Sequence, residues 1–118
     1  MEVYTNIKEE SLIVKIVGEL DHHTSEDIRK QLDFLISKNN VKNIVFDLSS
    51  LTFLDSSGVG MFMGRYKKIK EKNGMALMTN IKDSNRRLIS MSGLFNIYEE
   101  YNNPEEALKL LRRGKNEQ

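Results

Sequence analysis

The sequence contains no cysteine among its 118 residues. This absence excludes disulfide bonds and thiolate metal sites. An excess of charge of one sign is also missing, because 18 lysine and arginine residues stand against 17 aspartate and glutamate residues. The balance leaves no overall field that would attract nucleic acid or an anionic membrane surface. Any partner must therefore recognise a local surface.

Long apolar runs are missing as well, since no uncharged stretch approaches the roughly 18–20 residues that a bilayer span requires. The first residues, MEVYTNIKEES, lack the basic and then apolar order of a secretory signal. We therefore expect a soluble, cytoplasmic protein. With 39% hydrophobic residues, a chain of this length is expected to form one domain with a buried core.

Two strands are predicted at the start of the chain, at residues 2–7 and 12–17. In the second strand Leu12, Val14 and Ile16 alternate with residues of the opposite face. A polar turn separates the two segments. We expect an antiparallel hairpin.

A helix is predicted over about residues 24–38, where apolar residues recur at helical spacing before Asn39-Asn40. Thr24 and Asp27 have the spacing of a capping box, in which Thr24 would accept the Asp27 N–H and the Asp27 carboxylate would reach back. Residues 43–48, NIVFDL, are typical of a strand buried on both faces of a central sheet. This strand is expected to lead into the motif that follows it.

An amphipathic helix is predicted from about residue 56 to 72. Its apolar stripe is Val59, Phe62, Met63, Tyr66 and Ile69, and the residues between are Arg65, Lys67, Lys68, Lys70, Glu71 and Lys72. We interpret the basic run as a solvated helix face rather than a nucleic-acid site. The methionines at 61, 63, 75, 78 and 91 are expected mostly in the core, and any exposed beside Ser56 would belong to a partner surface.

The remaining elements continue the alternation of strands and helices. They are a strand at 75–79, a helix at 83–91 closed by Gly93, a weak strand at 96–99 and a helix at 104–112 that begins at Asn103-Pro104. Residues 113–118 have no apolar anchor and are expected to fray. The pattern predicts a single α/β domain at residues 2–112, with a mixed sheet of about four to five strands packed with about four helices.

The junction Asp55-Ser56-Ser57-Gly58 has two interpretations. Aspartate and serine are preferred N-caps and glycine eases a tight turn, so the segment could be only a helix start. The hydroxyls would also lie beyond the carboxyl end of a central strand, at a helix N-terminus whose free N–H groups favour anions. A phosphate attached to serine would be tolerated there. Both interpretations remain open on this evidence.

Catalytic and cofactor motifs do not fit this junction. A nucleophile elbow needs Gly-x-Ser-x-Gly, but Leu54 and Asp55 stand two residues before the serines. The glycines after Ser57 do not have dinucleotide-binding spacing, and no phosphate-loop lysine follows. Adjacent His22 and His23 rarely bind one metal, and Asp21 alone does not complete a ligand set. We expect neither a metal nor a cofactor.

Three stretches, DLSSLTFLDSSGVGMFMGRYKKIK, GELDHHT and MSGLF, together resemble the STAS domain of bacterial anti-sigma factor antagonists, the sporulation members most closely. The resemblance runs from the first hairpin to the helix at 104–112. It implies a protein that is not an enzyme and whose unmodified form binds an anti-sigma factor that is also an ATP-dependent serine kinase, which frees the sigma factor. The kinase then phosphorylates the antagonist, and a PP2C-type phosphatase reverses this.

The resemblance also implies residue roles. Ser56, directly after the aspartate of the D-S-[ST]-G motif, matches the phosphorylated serine, and Ser57 is the runner-up. Asp21 matches an acidic residue close to the phosphorylation site and the partner surface. The expected partner contacts are Asp21, His22, Asp55, Ser56, Ser57, Gly58 and Val59. Two alternatives remain: a general-stress antagonist of the same fold, or a STAS module that binds a nucleotide or another small anion.

Overall fold

The computed structural model describes residues 1–116, with side chains through residue 114. Over these residues the chain folds into six strands, four α-helices and one short 3₁₀ helix. In chain order these are β1 (Glu2–Lys8), β2 (Ser11–Leu20), α1 (Ser25–Lys38), β3 (Asn43–Asp47), β4 (Leu51–Leu54), α2 (Ser56–Glu71), β5 (Ala76–Thr79), α3 (Asp83–Met91), the 3₁₀ helix (Leu94–Asn96), β6 (Glu99–Tyr101) and α4 (Pro104–Asn116). The predicted α/β class is confirmed, with slightly more strands than expected.

The sheet is mixed. β1 and β2 form the predicted antiparallel hairpin, and the other strand pairs are parallel. The strand order is β1-β2-β3-β5-β6, and β4 pairs with β2 outside this path. Besides its antiparallel partner β1, β2 has two parallel partners in succession: residues 11–15 pair with β3, and residues 18–20 pair with β4. The far end of β2 therefore lies beside β4, which leads directly into α2.

Helices cover both faces of this sheet. On one face the helices α1, α2 and α3 supply Ile28, Leu32, Phe62, Ile69 and Ile89 to the larger core. On the other face Ala107 of α4 packs with Val45 and Leu77. Ile44, Val45 and Phe46 are all buried, which confirms the prediction that β3 is buried on both faces.

β4 is the strand that the sequence analysis did not predict. Its residues, LTFL, bury both leucines and expose the two residues between them, so the strict alternation of a half-buried strand is absent. Residues 43–48 were expected to lead straight into the Asp55 motif. This was wrong, because β3 ends at Asp47 and the chain then turns and pairs with β2 again.

The last strand begins later than predicted. A 3₁₀ helix occupies part of the segment expected to be strand 96–99, and β6 begins only at Glu99. The cause is Tyr98, which is buried and donates its hydroxyl to the Phe62 carbonyl oxygen at 2.7 Å. A side-chain contact with α2 therefore positions this segment. β6 pairs in parallel with β5, and its Tyr101 packs against the cluster that contains Leu77 of β5.

α4 continues to Asn116, beyond the predicted end at residue 112. Residues 117–118 of the expected tail lie outside the described residues. The fraying of residues 113–118 stays a prediction.

α2 confirms the predicted helix but not its predicted faces. Arg65, expected on the solvated face, is only 4% exposed, and Met63, expected in the apolar stripe, is 41% exposed. The Arg65 Nε atom lies 3.0 Å from Asp33 Oδ1 of α1, and the same carboxylate lies 3.3 Å from Arg29 Nη1. Met91 is also exposed, so the expectation of a core position was wrong for this methionine and for Met63.

Lys72 differs from the other lysines of the basic run. Its Nζ atom donates to the carbonyl oxygens of Ile36 at 3.2 Å and Val41 at 3.0 Å. The bond to Ile36 satisfies a backbone acceptor in the last turn of α1, where a helix lacks its own donors, and the bond to Val41 satisfies one in the segment between α1 and β3. Lys67, Lys68 and Lys70 are exposed, so the expected solvated face is confirmed for them. The end of α2 is thus attached to α1.

The buried position of Arg65 generates a stability prediction. Arg65→Ala should lower the free energy of unfolding by about 3 kcal/mol, near the lower end for breaking a buried ion pair, because Asp33 keeps Arg29 as a neighbour. The matched control is Arg29→Ala, which removes the more exposed partner and should cost less than about 1 kcal/mol. Urea denaturation at neutral pH measures both. Equal losses would contradict the assigned importance of the buried pair.

Candidate functional site

The candidate site lies where the ends of β2 and β4 meet. Leu20 and Leu54 are facing partners in these parallel strands, so Asp21 and Asp55 leave the sheet side by side. The Asp55 N–H donates to the Leu20 carbonyl oxygen at 3.3 Å, and the His22 N–H donates to Asp55 Oδ2 at 3.2 Å. The two motifs GELDHHT and DSSGVG, which are distant in sequence, are therefore in hydrogen-bond contact.

Asp55 is the N-cap of α2. Its extended backbone lets Oδ1 accept the N–H groups of Ser57 at 2.9 Å and Gly58 at 3.1 Å. This confirms that the motif caps a helix. Because Oδ2 accepts from His22, the carboxylate joins the helix start to the neighbouring loop.

Asp21 organises the loop that precedes α1. Its Oδ1 atom accepts the N–H groups of His23 at 2.9 Å and Thr24 at 3.1 Å. The Thr24 hydroxyl donates to the Glu19 carbonyl oxygen at 3.0 Å. Burial raises the pKa of the Asp21 carboxyl, but the hydrogen bonds from His23 and Thr24 outweigh burial and hold the pKa below its usual value. The Asp21 side chain is therefore an ionised, loop-forming carboxylate at neutral pH.

The capping box predicted for Thr24 and Asp27 is wrong. Thr24 makes no side-chain cap to α1, because its hydroxyl takes part in the Asp21 turn. The Ser25 N–H and hydroxyl both donate to the Asp21 carbonyl oxygen, at 2.9 and 2.6 Å. Short polar side chains that hydrogen-bond to the backbone of a nearby turn are no longer free to cap a helix. The Asp-x-x-Thr spacing of Asp21 and Thr24 was the sequence signal that could have predicted this turn.

The two histidines lie beside the two carboxylates. His22 Nδ1 is 4.0 Å from Asp55 Oδ2, and His23 Nδ1 is 3.8 Å from Asp21 Oδ1. The imidazole rings are 3.8 Å apart and largely exposed. In the part of the chain that the structure describes, no hydrogen bond joins either ring to a serine hydroxyl. The arrangement lacks the nucleophile and base contact of a serine hydrolase.

Ser56 and Ser57 present exposed side chains in the first turn of α2. Among residues 1–114, neither hydroxyl has a hydrogen-bond partner. Val59 is half-buried, whereas Gly58 is buried. Of the expected contact residues in this turn, a partner can reach the two serines and the edge of Val59. Gly58 is not accessible to a partner, and its contribution is to set the position of the first turn of α2.

Gly58 brings the first turn of α2 against the strand ends. A Cβ atom at this position would lie 2.5 Å from Leu54 Cδ1 and 2.8 Å from the Leu20 carbonyl oxygen. Both distances are shorter than the normal separation of nonbonded atoms, so a side chain would force the turn away from the sheet. The absence of a side chain at Gly58 therefore sets the position of the serines.

Two exposed apolar side chains flank the serines along the chain. Phe53 precedes Asp55 by two residues, and Met63 lies two turns after Ser56 on the outer face of α2. Sequence reasoning missed Phe53 because β4 was not predicted. That the exposed Met63 belongs to a partner surface, as expected for an exposed methionine near Ser56, stays a prediction.

The described residues present neither a cluster of metal ligands nor a helix that could span a membrane. Within the described part of the chain, no three histidine, aspartate or glutamate side chains lie together as potential metal ligands. The helices of residues 1–116 are too short or too polar to cross a bilayer.

Comparison with known proteins identifies the fold family. Residues 1–107 match the family model described as the STAS domain. The chain belongs to the STAS domain family. Among relatives of this STAS protein, the anti-sigma F factor antagonist of Paenibacillus polymyxa is 45% identical and covers 82% of this chain and 83% of the relative. The anti-sigma F factor antagonist of Lysinibacillus sphaericus is 34% identical over 75% of each chain.

Solved structures agree with this assignment. SpoIIAA in its unphosphorylated form, described as an anti-sigma factor antagonist, matches with a TM-score of 0.75 and 27% identity over 96% of this chain and 99% of that chain. The phosphorylated form of Bacillus SpoIIAA matches with a TM-score of 0.75 and 29% identity over 93% and 99%. The resemblance drawn from GELDHHT, DSSGVG and MSGLF is thereby confirmed.

The contrast between two glycines of α2 generates a prediction for this STAS domain. Gly60→Ala, where a Cβ meets nothing within 4 Å, should raise the free energy of unfolding by about 0.5–1 kcal/mol through helix propensity. Gly58→Ala should instead lower it by about 1–3 kcal/mol, because the added methyl overpacks the contact with Leu20 and Leu54. Thermal and urea unfolding measure both variants. A stabilised Gly58→Ala variant would contradict the close approach of α2 to the strands.

Proposed function

We propose that this STAS domain is an anti-sigma factor antagonist that is switched by phosphorylation of Ser56. Unphosphorylated, it binds an anti-sigma factor that is also a serine kinase, and the sigma factor is released. The kinase phosphorylates Ser56 and ends the interaction, and a PP2C-type phosphatase restores the active form. The observation that carries this proposal is the exposed hydroxyl of Ser56, without a hydrogen-bond partner among residues 1–114, at the start of a firmly capped helix.

Accessibility and fixed geometry support Ser56 as a kinase substrate. A kinase must bring the γ-phosphoryl group in line with the attacking hydroxyl, so a hydroxyl held on an ordered backbone is already partly positioned. Asp55 provides that order because its carboxylate accepts the N–H groups of Ser57 and Gly58 in the first turn of α2. The exposed Phe53 and Met63 offer apolar contacts around the site, as the centre of a protein interface requires.

The position within the cap favours Ser56 over Ser57. The N–H of Ser57 is already bonded to Asp55 Oδ1, whereas the cap carboxylate does not accept the N–H of Ser56. A free N–H at a helix start can donate to a phosphate oxygen. Ser56 also occupies the phosphorylated position of the D-S-[ST]-G motif that this chain shares with its family.

The domain itself should tolerate the phosphate. Phosphorylation adds about −1.5 to −2 charges and three acceptor oxygens. The first turn of α2 contains no acidic residue, and the helix dipole stabilises a negative charge by about 0.3–1 kcal/mol. The carboxylates of Asp55 and Asp21 oppose it. Because these terms are small and of opposite sign, we expect little change in the fold. Both the unphosphorylated and the phosphorylated SpoIIAA structures match this fold with a TM-score of 0.75, as expected if the phosphate leaves the fold in place.

The switch must therefore act at the interface. If the kinase places a carboxylate about 4 Å from the phosphate on Ser56, the repulsion between the two negative groups costs on the order of 4 kcal/mol at an effective dielectric constant of about 20. That energy corresponds to roughly a thousandfold loss of affinity. A dry apolar surface over Ser56 would also oppose the charge of the phosphate. A local charge can thus release the partner without any rearrangement of the antagonist.

The relatives favour the sporulation type of antagonist. The anti-sigma F factor antagonists reach 45 and 34% identity, whereas the anti-sigma-B factor antagonist of Bacillus subtilis is 28% identical over 82% of this chain and 89% of that relative. We propose an anti-sigma F type kinase as the partner, in the cytoplasm where a sigma factor acts. A general-stress antagonist is the second candidate.

The site of modification can be tested with the two adjacent serines. After incubation with the cognate anti-sigma kinase and ATP, we expect one added phosphate on the wild-type chain and on Ser57→Ala, and none on Ser56→Ala. Peptide mass spectrometry locates the phosphate. Phosphate on Ser57, or an unmodified wild-type chain with a kinase shown to be active, would contradict the assignment to Ser56.

The electrostatic mechanism predicts a difference between two isosteric variants. Ser56→Asn should bind the kinase nearly as well as the wild-type chain, whereas Ser56→Asp should bind about a thousandfold more weakly if its charge meets a carboxylate or a dry surface. Calorimetry with the kinase and nucleotide measures both affinities. Equal affinities for Asn and Asp would exclude charge repulsion as the cause of release.

A further inference from the structure

The outer edge of β1 pairs with no other strand of the described residues. β1 is the first strand of the sheet order and pairs with β2 over all seven of its residues, Glu2 to Lys8. In an antiparallel ladder the N–H and C=O groups of every second residue point away from the partner strand. Along β1 these outward groups meet no other strand of residues 1–116. Such an edge is a template for pairing with a further strand.

The sequence of β1, EVYTNIK, is complementary to itself when two copies run antiparallel around Thr5. Opposite charges then meet at both ends of the pair, and apolar residues meet inside them. The facing residues are Glu2 with Lys8, Val3 with Ile7, Tyr4 with Asn6, and Thr5 with its own copy. Odd positions face odd positions, so the outward backbone groups of one strand meet those of the other.

We propose that β1 pairs with β1 of a second copy of this chain, which joins two sheets across a two-fold axis at Thr5. An interface of this kind is isologous, because each contact occurs twice with the roles of the two copies exchanged. The proposal goes beyond the phosphorylation switch and does not depend on it.

The surroundings of β1 favour a second copy as the occupant. The Tyr4 hydroxyl donates to the Glu2 carboxylate, which places both side chains on the same face of the strand. Lys8 lies on that face too, since it is an even number of residues away, and no carboxylate of the described residues pairs with it. Edge charges normally repel another strand, but here the charge at each end attracts the opposite end of a copy.

The apolar face of β1 agrees with this occupant. Val3 and Ile7 are half-buried and pack against the larger core. In the proposed register Val3 would lie beside Ile7 of the second copy, and Ile7 beside its Val3. These contacts would cover the exposed part of both side chains. Seven residue pairs form a small interface beside the roughly 1,200–2,000 Å² of stable complexes, so we expect a reversible dimer.

Charge reversal tests the register. In sedimentation equilibrium of the full chain, we expect concentration-dependent dimers for the wild type. Glu2→Lys and Lys8→Glu should each weaken dimerisation about tenfold, because two attractive pairs become repulsive. The double variant restores opposite charges and should dimerise as the wild type does. A wild-type chain that stays monomeric at every concentration, or a double variant as weak as the single ones, would overturn the proposal.

Crosslinking provides a second test because the chain has no cysteine of its own. Thr5→Cys places two thiols directly opposite each other across the two-fold axis, within the Cα separation that a disulfide accepts. Asn6→Cys is the matched control, since its thiol faces Tyr4 and lies too far from its own copy. Under mild oxidation we expect a covalent dimer for Thr5→Cys alone. Equal crosslinking of both variants, or of neither, would contradict the register.

Discussion

The parallel pairing of Leu20 with Leu54 determines where each residue of the candidate site lies. Since β2 and β4 end together, the two loops that follow leave the sheet in register, and one hydrogen bond from His22 to Asp55 joins them. Gly58 then allows the first turn of α2 to contact both strand ends. Without β4 beside β2, the serines would have no defined position relative to the GELDHHT loop.

The negative charge of the site has a structural origin. Asp21 and Asp55 both direct carboxylate oxygens at backbone N–H groups, and each holds one turn of the chain in place. These charges are needed for the local fold, so they are present whether or not a partner is bound. A phosphate on the adjacent serine would add to an existing negative surface, which makes the site sensitive to the charge that a partner presents.

Local patterns predicted most of the architecture. Leu12, Val14 and Ile16 of β2 are buried as their alternation indicated, and the apolar run of β3 is buried on both faces. Asp55 caps α2 as its type and position suggested. These features depend on neighbours in sequence or on a simple periodicity, so the sequence alone contains the information.

Four of the failures share a different cause, because each depends on a partner distant in sequence, whereas the Thr24 capping box failed through the local turn at Asp21. β4 exists through its pairing with β2, and Tyr98 delays β6 through its bond to Phe62. Arg65 is buried because Asp33 of α1 faces it, and Lys72 is removed from the solvated face by carbonyl groups of Ile36 and Val41. The roles proposed for the serines came first from a family resemblance, since the sequence pattern and the exposure of the hydroxyls do not distinguish Ser56 from Ser57.

The attachments of α2 have a consequence for the thermodynamics of partner binding. The helix is held at its start by Asp55, in its middle by Arg65 and by the hydroxyl of Tyr98, and at its end by Lys72. A helix with four such attachments has little backbone freedom left to lose when a protein docks on it. If α2 forms the proposed partner surface, the entropic cost of association is confined to a few exposed side chains, because the helix backbone is preorganised.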